Sequence, residues 1–444
     1  MDLLQENVRK LYFKYFAAAF GSSLIGTIYA FVDAIVVGQD QGPSGPAALA
    51  VVAPVWNIVY ALGLLFGIGG SVFFSTLRGK GEGQEERENE YFTVAMMAGA
   101  GVALICWIAF AFFDSQILRL FGANAELLPL AKRYLLPIKF VLPTYLMGQL
   151  LAAFLRNDGN PALAAAAVLA GGVFNIFGDC FFVFALNMGI FGAGLATALG
   201  SVLSIGIMTT HFFSKRNTLK FVAVQDIPRK LKRIIGAGFS TFFVDVAMGI
   251  ITVLINNQIM KYADSNALAV YGVVVNISTC VQGCVYSIGQ AAQPLISIHF
   301  GAEKWNRIKS ILRYSLITVA VFAVFWTGVT LLFPVPIIKI FMTATPEVIG
   351  IAPRIIRLYC LSFLLLPLNV FSTYYFQSIL KPQMAFAVSV CRGLVISGSL
   401  ILFLPVIAKD VGLWLAMPVT EWLVAIMVIY YMVRYTSAIG RQKI

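Results

Sequence analysis

Gly171-Gly-Val-Phe-Asn-Ile-Phe-Gly-Asp-Cys-Phe-Phe-Val-Phe-Ala185 sets a carboxamide, Asn175, and a carboxylate, Asp179, one helical turn apart inside an apolar run. At i and i+4 the two share one helix face. With its flanks the run, about 161–186, is long enough to cross roughly 30 Å of hydrocarbon as a helix. An ionisable group costs a few kcal/mol or more there, so it turns to a bundle interior or a wet cavity and is a functional candidate by default. The stretch predicts a helical membrane bundle built around a polar site.

The rest of the 444 residues agrees, with 59% hydrophobic, 12% charged and a mean hydropathy of +0.86. The predicted fold class is an all-α polytopic membrane protein. Apolar runs of about 20 residues or more recur throughout, and they read as twelve transmembrane helices. They fall at about 11–37, 48–76, 91–113, 130–155, 161–186, 190–214, 234–260, 267–296, 312–333, 355–379, 384–408 and 412–435. The polar leader Met1–Lys10 is expected as a short interfacial helix rather than a cleaved signal peptide. Gly38–Pro46 reads as a turn-rich external loop, and Asn187-Met-Gly189 as a tight turn. The stretch from helix 3 to about residue 129 is expected to be partly helical along the membrane surface.

The net charge of +12 invites a nucleic-acid reading, but its placement points elsewhere. With a cytosolic N-terminus and twelve helices, most Lys and Arg fall on the cytosolic side, as the positive-inside bias requires. Lys215, Arg216, Lys220, Arg229, Lys230, Lys232 and Arg233 cluster in one segment. No nucleic-acid partner is expected, and the lipid bilayer is. Both termini are placed in the cytosol, and the protein in the cytoplasmic membrane as a multi-pass chain. The six cysteines all sit in apolar spans without metal-type spacing, and there are only two histidines, His211 and His299. Haem, copper and zinc chemistry are disfavoured, and no cofactor is expected beyond a coupling ion.

The second half echoes the first. Leu49-Ala-Val matches Leu268-Ala-Val, Gly81-Glu82 matches Ala302-Glu303, Pro161 matches Pro382, and Gly192-x-x-Leu-Ala matches Gly412-x-x-Leu-Ala, at offsets of 219, 221, 221 and 220 residues. Six helices separate each pair, so the repeats are parallel. The expected organisation is a lobe over residues 1–214, a cytosolic basic linker over 215–233 and a second lobe over 234–444. Transporters commonly place the substrate site between such repeats and alternate access by rocking them.

In the first half Tyr29/Asp33, Asn175/Asp179 and Ala193/Thr197 each present one helix face. Converging, they would supply hard oxygen ligands suited to Na⁺. The same cluster could hold a proton, since two nearby carboxylates in low dielectric cannot both ionise cheaply. The bland alternative is that Asn175 and Thr197 only join helices and Asp33 caps near a helix end. In the second half Asp245, Arg392 and Glu421 are the buried ionisable candidates, with Asn256, Asn257, Gln282, Gln290 and Gln293 as uncharged neighbours. Asp245, Asn256, Gln282, Gln290 and Glu421 are candidates for a substrate cavity, and an Arg392–Glu421 structural ion pair is the competing reading. Thirty-six Phe, seventeen Tyr and thirteen Met would suit an adaptable apolar cavity.

Val32-Asp-Ala-Ile-Val-Val-Gly38, Arg78-Gly-Lys-Gly-Glu82, Arg156-Asn-Asp-Gly-Asn-Pro161, Asn175-x-x-x-Asp179 and Gly192-x-Gly-Leu-Ala-Thr197 together resemble the multidrug and toxic compound extrusion family. The resemblance covers essentially all twelve spans and looks nearest to the DinF-like branch of bacterial exporters and its relatives. It implies two six-helix lobes forming a V, and cation-coupled export. It places a first-lobe cation site on Asp33, Asn175, Asp179, Ala193 and Thr197, with Tyr29 and Tyr134 as flanking hydrogen-bond partners. If the coupling ion is Na⁺, the ligands would be Asp33, Asn175, Asp179 and Thr197. Helix 1 has Gly21 and Gly26 but lacks the proline found in many relatives, which puts a proline-centred bending switch in doubt.

The expected function is an H⁺- or Na⁺-coupled antiporter that exports amphipathic, often cationic, small molecules, with a monomer as the working unit. Alternatives are a lipid-linked saccharide flippase, which would need basic groups in its cavity, and an exporter of a specific metabolite. An enzyme is disfavoured because the spans lack paired His/Asp or Ser/Lys sets. A passive channel fits the parallel repeat less well than alternating access does, and no ATP-binding P-loop is present.

Overall fold

The computed structural model describes residues 3–42, 44–81, 83–342 and 345–441. Of the stretches read above, Met1-Asp2, Pro43, Glu82 and residues 442–444 lie outside them. The described residues are helical almost throughout and contain no strand. In order the helices are α1 (Val8–Gln41), α2 (Ser44–Gly79), α3 (Glu85–Leu120), α4 (Leu127–Asn157), α5 (Pro161–Cys180), α6 (Ile190–Thr209) and α7 (Ile227–Tyr262). They continue as α8 (Ser265–Gly301), α9 (Trp305–Leu332), α10 (Pro334–Phe341), α11 (Pro346–Cys360), α12 (Leu366–Ser378), α13 (Pro382–Val390) and α14 (Ile396–Arg441). π-turns follow α5 at Phe181–Ala185 and α13 at Cys391–Val395.

Among the described residues, eleven helical stretches are long and apolar enough to cross a membrane, the last running 57 residues from Pro382 to Ala438. At 1.5 Å per residue that is about 85 Å, far more than one crossing. Lys409 interrupts it with φ 51° and ψ −131°, so it makes two crossings and the total is twelve. Conversely, α11 and α12 form one crossing broken at Leu361–Leu364, where Pro367 in the first turn of α12 removes a backbone donor.

The helices outrun their apolar cores because backbone hydrogen bonding continues past the hydrocarbon into polar sequence. The described part of the leader, from Leu3, forms no helix of its own: Asn7 Oδ1 accepts from the backbone of Arg9 (3.0 Å) and Lys10 (3.3 Å) and caps α1. The Gly38–Pro46 loop shrinks, with α1 running to Gln41, Gly42 turning at φ 63° and Pro46 falling in the first turn of α2, where a missing N–H costs nothing. Beyond residue 113 the chain stays in α3 through Leu120, kinked at Phe113. The short helix α10 lies between the ninth and tenth spans as read from sequence.

The chain forms two compact units, Met1–Phe242 with Ser297–Glu303, and Phe243–Ile296 with Lys304–Ile444. In the first, α4 packs on α2, α3 and α6, and α5 packs on α1 and α6. Gly171 and Gly200 let α5 and α6 touch backbone to backbone: a Cβ on either would lie 2.6 or 2.7 Å from the other's carbonyl oxygen. That contact fixes the face on which Asn175 and Asp179 lie.

Residues 215–226 are fastened to α3. Lys220 N donates to Asn89 Oδ1 (2.8 Å), Asn89 Nδ2 to Thr218 O (3.1 Å) and Val222 N to Thr93 Oγ1 (3.1 Å). The basic residues from Arg229 to Arg233 belong to the first turns of α7.

The turn Arg156–Pro161 is a charged knot. Asp158 Oδ1 pairs with Arg78 Nη1 at 2.7 Å and also accepts from the Thr218 hydroxyl, while Asp158 Oδ2 lies 2.6 Å from His211 Nε2. Asn160 Oδ1 caps α5 through Leu163 N, which turns Asn160 Nδ2 to His211 Nδ1 at 3.2 Å. That orientation makes Nδ1 the acceptor and leaves the Nε2–H to donate to Asp158. Burial alone would raise the Asp158 pKa. The bond from His211, the Arg78 charge and the two Thr218 donors outweigh it and hold the carboxyl below its ordinary range.

Candidate functional site

Four helices of the first unit bring the sequence-singled residues together. Asn175 and Asp179 are 3% and 0% exposed on α5, Asp33 on α1 is 8% exposed, Tyr134 on α4 is 3% exposed, and Ala193 on α6 is fully buried. Tyr134 Oη donates to Asp33 Oδ2 at 2.7 Å, joining α4 to α1. Asn175 Nδ2 donates to Thr197 Oγ1 at 3.0 Å and lies 3.4 Å from Asp179 Oδ1, and the Thr197 hydroxyl donates to Ala193 O at 3.1 Å. Asp33 and Asp179 lie within electrostatic range of each other, and Tyr134 within range of both. Tyr29 is half-buried, packs on Gly172 and hydrogen-bonds with Tyr145 of α4.

Three oxygens are left over. Asp33 Oδ1, Asn175 Oδ1 and Asp179 Oδ2 are buried without a hydrogen-bond partner. Buried acceptors are almost always satisfied, so three orphans in one cluster call for an occupant. Two carboxylate oxygens and an amide oxygen, beside the lone pairs of a threonine hydroxyl, suit a hard cation or a proton. Asp33 is not a helix cap: it lies eight residues before the last residue of α1 and bonds Tyr134 instead. The Asn175–Thr197 bond does join α5 to α6, as the bland reading expects, but it leaves both acids and the amide oxygen unexplained. The Ala193 carbonyl contributes as the acceptor that orients Thr197.

The second unit gathers its candidates only in part. Tyr286 Oη donates to Asp245 Oδ1 at 2.8 Å, Gln282 Nε2 lies 2.5 Å from that hydroxyl, and Asp245 Oδ2 has no partner. Gln282 and Arg392 also line a small cavity of about 50 Å³ with Met248, Tyr271, Tyr359 and Met417. Glu421 is not on that lining. It is fully buried and accepts from Arg392 Nε (2.7 Å) and, at its other oxygen, from Asn369 Nδ2 (2.7 Å). Asn256 is half-buried on α7 and Gln290 buried on α8, and neither lines the cavity. Sequence reading missed Tyr286 and Asn369. Tyr286 sits one turn from Gln282, so an i, i+4 search of α8 would have found it; Asn369, alone in an apolar run, gave the same signal as Asn175 without an acid beside it.

The family model described as MatE matches residues 18–181 and 240–400 of this chain. The Multidrug export protein MepA of Staphylococcus saprophyticus is 26% identical over 84% of this chain and 82% of its own length. The protein of that name from Staphylococcus haemolyticus is 26% identical, again over 84% and 82%. Among solved structures, a multidrug resistance MATE family transporter of the MOP superfamily in an outward-facing conformation superposes with a TM-score of 0.90 at 19% identity, covering 99% of this chain and 98% of that one. That likeness shows the same fold.

Proposed function

Because the chain belongs to the MatE family of membrane transporters, we propose that it is a cation-coupled antiporter exporting amphipathic, often cationic, organic compounds. The relatives named multidrug export proteins support the substrate class. In this reading the protein works as a monomer in the cytoplasmic membrane, with both termini in the cytosol.

The observation that carries the coupling is the trio of unpartnered buried oxygens on Asp33, Asn175 and Asp179. Asp33 and Asp179 hold the coupling ion, H⁺ or Na⁺. Tyr134 keeps one Asp33 oxygen engaged, which leaves the other for the ion, and Asn175, fixed by Thr197, turns its amide oxygen free. Neutralising the two acids changes the charge of the site, and the ion drives transport to the extent that it binds the two access states unequally. By linkage, the ion and the drug then lower each other's affinity. The flippase alternative draws little support from Arg392, whose charge is paired with Glu421 at 2.7 Å through Nε.

The test is efflux of a fluorescent lipophilic cation from proteoliposomes under an imposed Na⁺ or pH gradient. One gradient is expected to drive the wild type, and Asp33→Asn or Asp179→Asn to lower the driven rate at least tenfold while the protein purifies as a folded species. Uphill efflux retained in both variants would overturn the assignment.

A further inference from the structure

In the second unit, α9 lines up Lys309, Arg313, Leu316, Ile317 and Ala320 along one stripe, at i, i+4, i+7, i+8 and i+11. With Thr436 of α14 they line an open groove of about 540 Å³. Lys309 and Arg313 are exposed, and among the described residues neither is in an ion pair or a hydrogen bond. Their Cα atoms stand about 6 Å apart along the helix, close enough for both side chains to reach one phosphate. Below them the lining is apolar.

The neighbouring end of α14 carries Tyr430, Tyr431 and Tyr435, with Lys381 over the Tyr435 ring. Such aromatic clusters mark the headgroup level of a membrane. The groove therefore runs from the interface into the hydrocarbon, with cations at the top and aliphatic side chains beneath.

We propose that this groove is a binding site for one anionic glycerophospholipid, its phosphodiester between Lys309 and Arg313 and an acyl chain along Leu316, Ile317 and Ala320. Charge complementarity selects this occupant. A cationic compound of the exported class would be repelled by two unpaired cations, and a zwitterionic lipid gains less because its own ammonium opposes them. Basic pockets between transmembrane helices bind anionic headgroups in this way.

Native mass spectrometry of the full-length protein, titrated with phosphatidylglycerol and with phosphatidylcholine of identical chains, tests the site. The wild type is expected to take up one phosphatidylglycerol at least tenfold more tightly than phosphatidylcholine. Lys309→Ala/Arg313→Ala should weaken that binding about thirtyfold, roughly fivefold per charge removed. Ala320→Trp keeps both cations and fills the apolar part, so it should also weaken binding, while Lys80→Ala/Arg87→Ala, at the exposed turn after α2 and the first turn of α3, should not. Equal uptake of the two lipids by the wild type, or unchanged phosphatidylglycerol binding in the double variant, would overturn the proposal.

Discussion

At the scale of single residues, Glu421 on one side and Asp33 and Asp179 on the other are opposite solutions to a buried charge. Both oxygens of Glu421 have partners: Arg392 Nε donates to one and Asn369 Nδ2 to the other. Asp179 and Asp33 each keep an oxygen without a partner. Breaking a buried pair strands a charge, at a cost of roughly 3–5 kcal/mol, whereas replacing both members by apolar residues of similar size is often near neutral. Arg392→Met alone should therefore lower the thermal midpoint in detergent sharply, and Arg392→Met/Glu421→Leu should recover most of it. If the double variant stays as unstable as the single one, the pair is not merely structural. Sequence alone left Arg392–Glu421 open between structure and function because an i, i+4 search sees only one helix, and both Asn369 and Arg392 reach Glu421 from other helices. The Asp33–Tyr134 bond was invisible for the same reason; Tyr134 entered only through a family resemblance.

At the scale of helices, positions depend on contacts that hydropathy does not report. The polar face of α5 meets α6 because Gly171 and Gly200 admit each other's backbone. Gly171→Leu should push α5 from α6, cost about 1–3 kcal/mol or more by overpacking, and separate Asn175 from Thr197. Driven efflux should then fall with both acids intact, and a variant that transports normally would show that the close α5–α6 contact does not set the site. The α4–α5 turn makes a pH-dependent contribution. Asp158 faces Arg78 of α2, Glu88 of α3, His211 and Tyr15 of α1, and its carboxyl is held below the ordinary range. A depressed acid contributes stability that is present above its unfolded value, near 4, and lost as pH falls through the lower folded value. Asp158→Asn should destabilise the protein by about 1.5–3 kcal/mol at neutral pH and flatten the decline in thermal midpoint below pH 4. Parallel pH curves for the two proteins would contradict this. The Gly and Pro of Arg156–Pro161 announced a turn, but a knot closed by Thr218, 60 residues away from Asp158, could not be read locally.

At the scale of the whole chain, the number of crossings follows from length and from one backbone break. Apolar runs longer than a bilayer is thick were plain in the sequence, because hydrocarbon leaves helices no other way to satisfy their backbone. Their ends were not, since α1 and α7 carry helical hydrogen bonding well into polar residues. The last helix is the decisive case: its 57 residues run on as one apolar helix, and the division that the charged pair Lys409-Asp410 announced in the sequence is made in the backbone by the positive φ at Lys409. Twelve crossings place Arg216 and Ser437 on one side of the membrane and Asn187 and Lys409 on the other. In a background without the six native cysteines, a membrane-impermeant maleimide should label Asn187→Cys and Lys409→Cys from outside intact cells, and Arg216→Cys and Ser437→Cys only in inverted vesicles. If Lys409→Cys reacts from the same face as Arg216→Cys, the break at Lys409 is a kink within one crossing. The count then drops to eleven, and a parallel two-fold repeat, which needs an even number, fails with it.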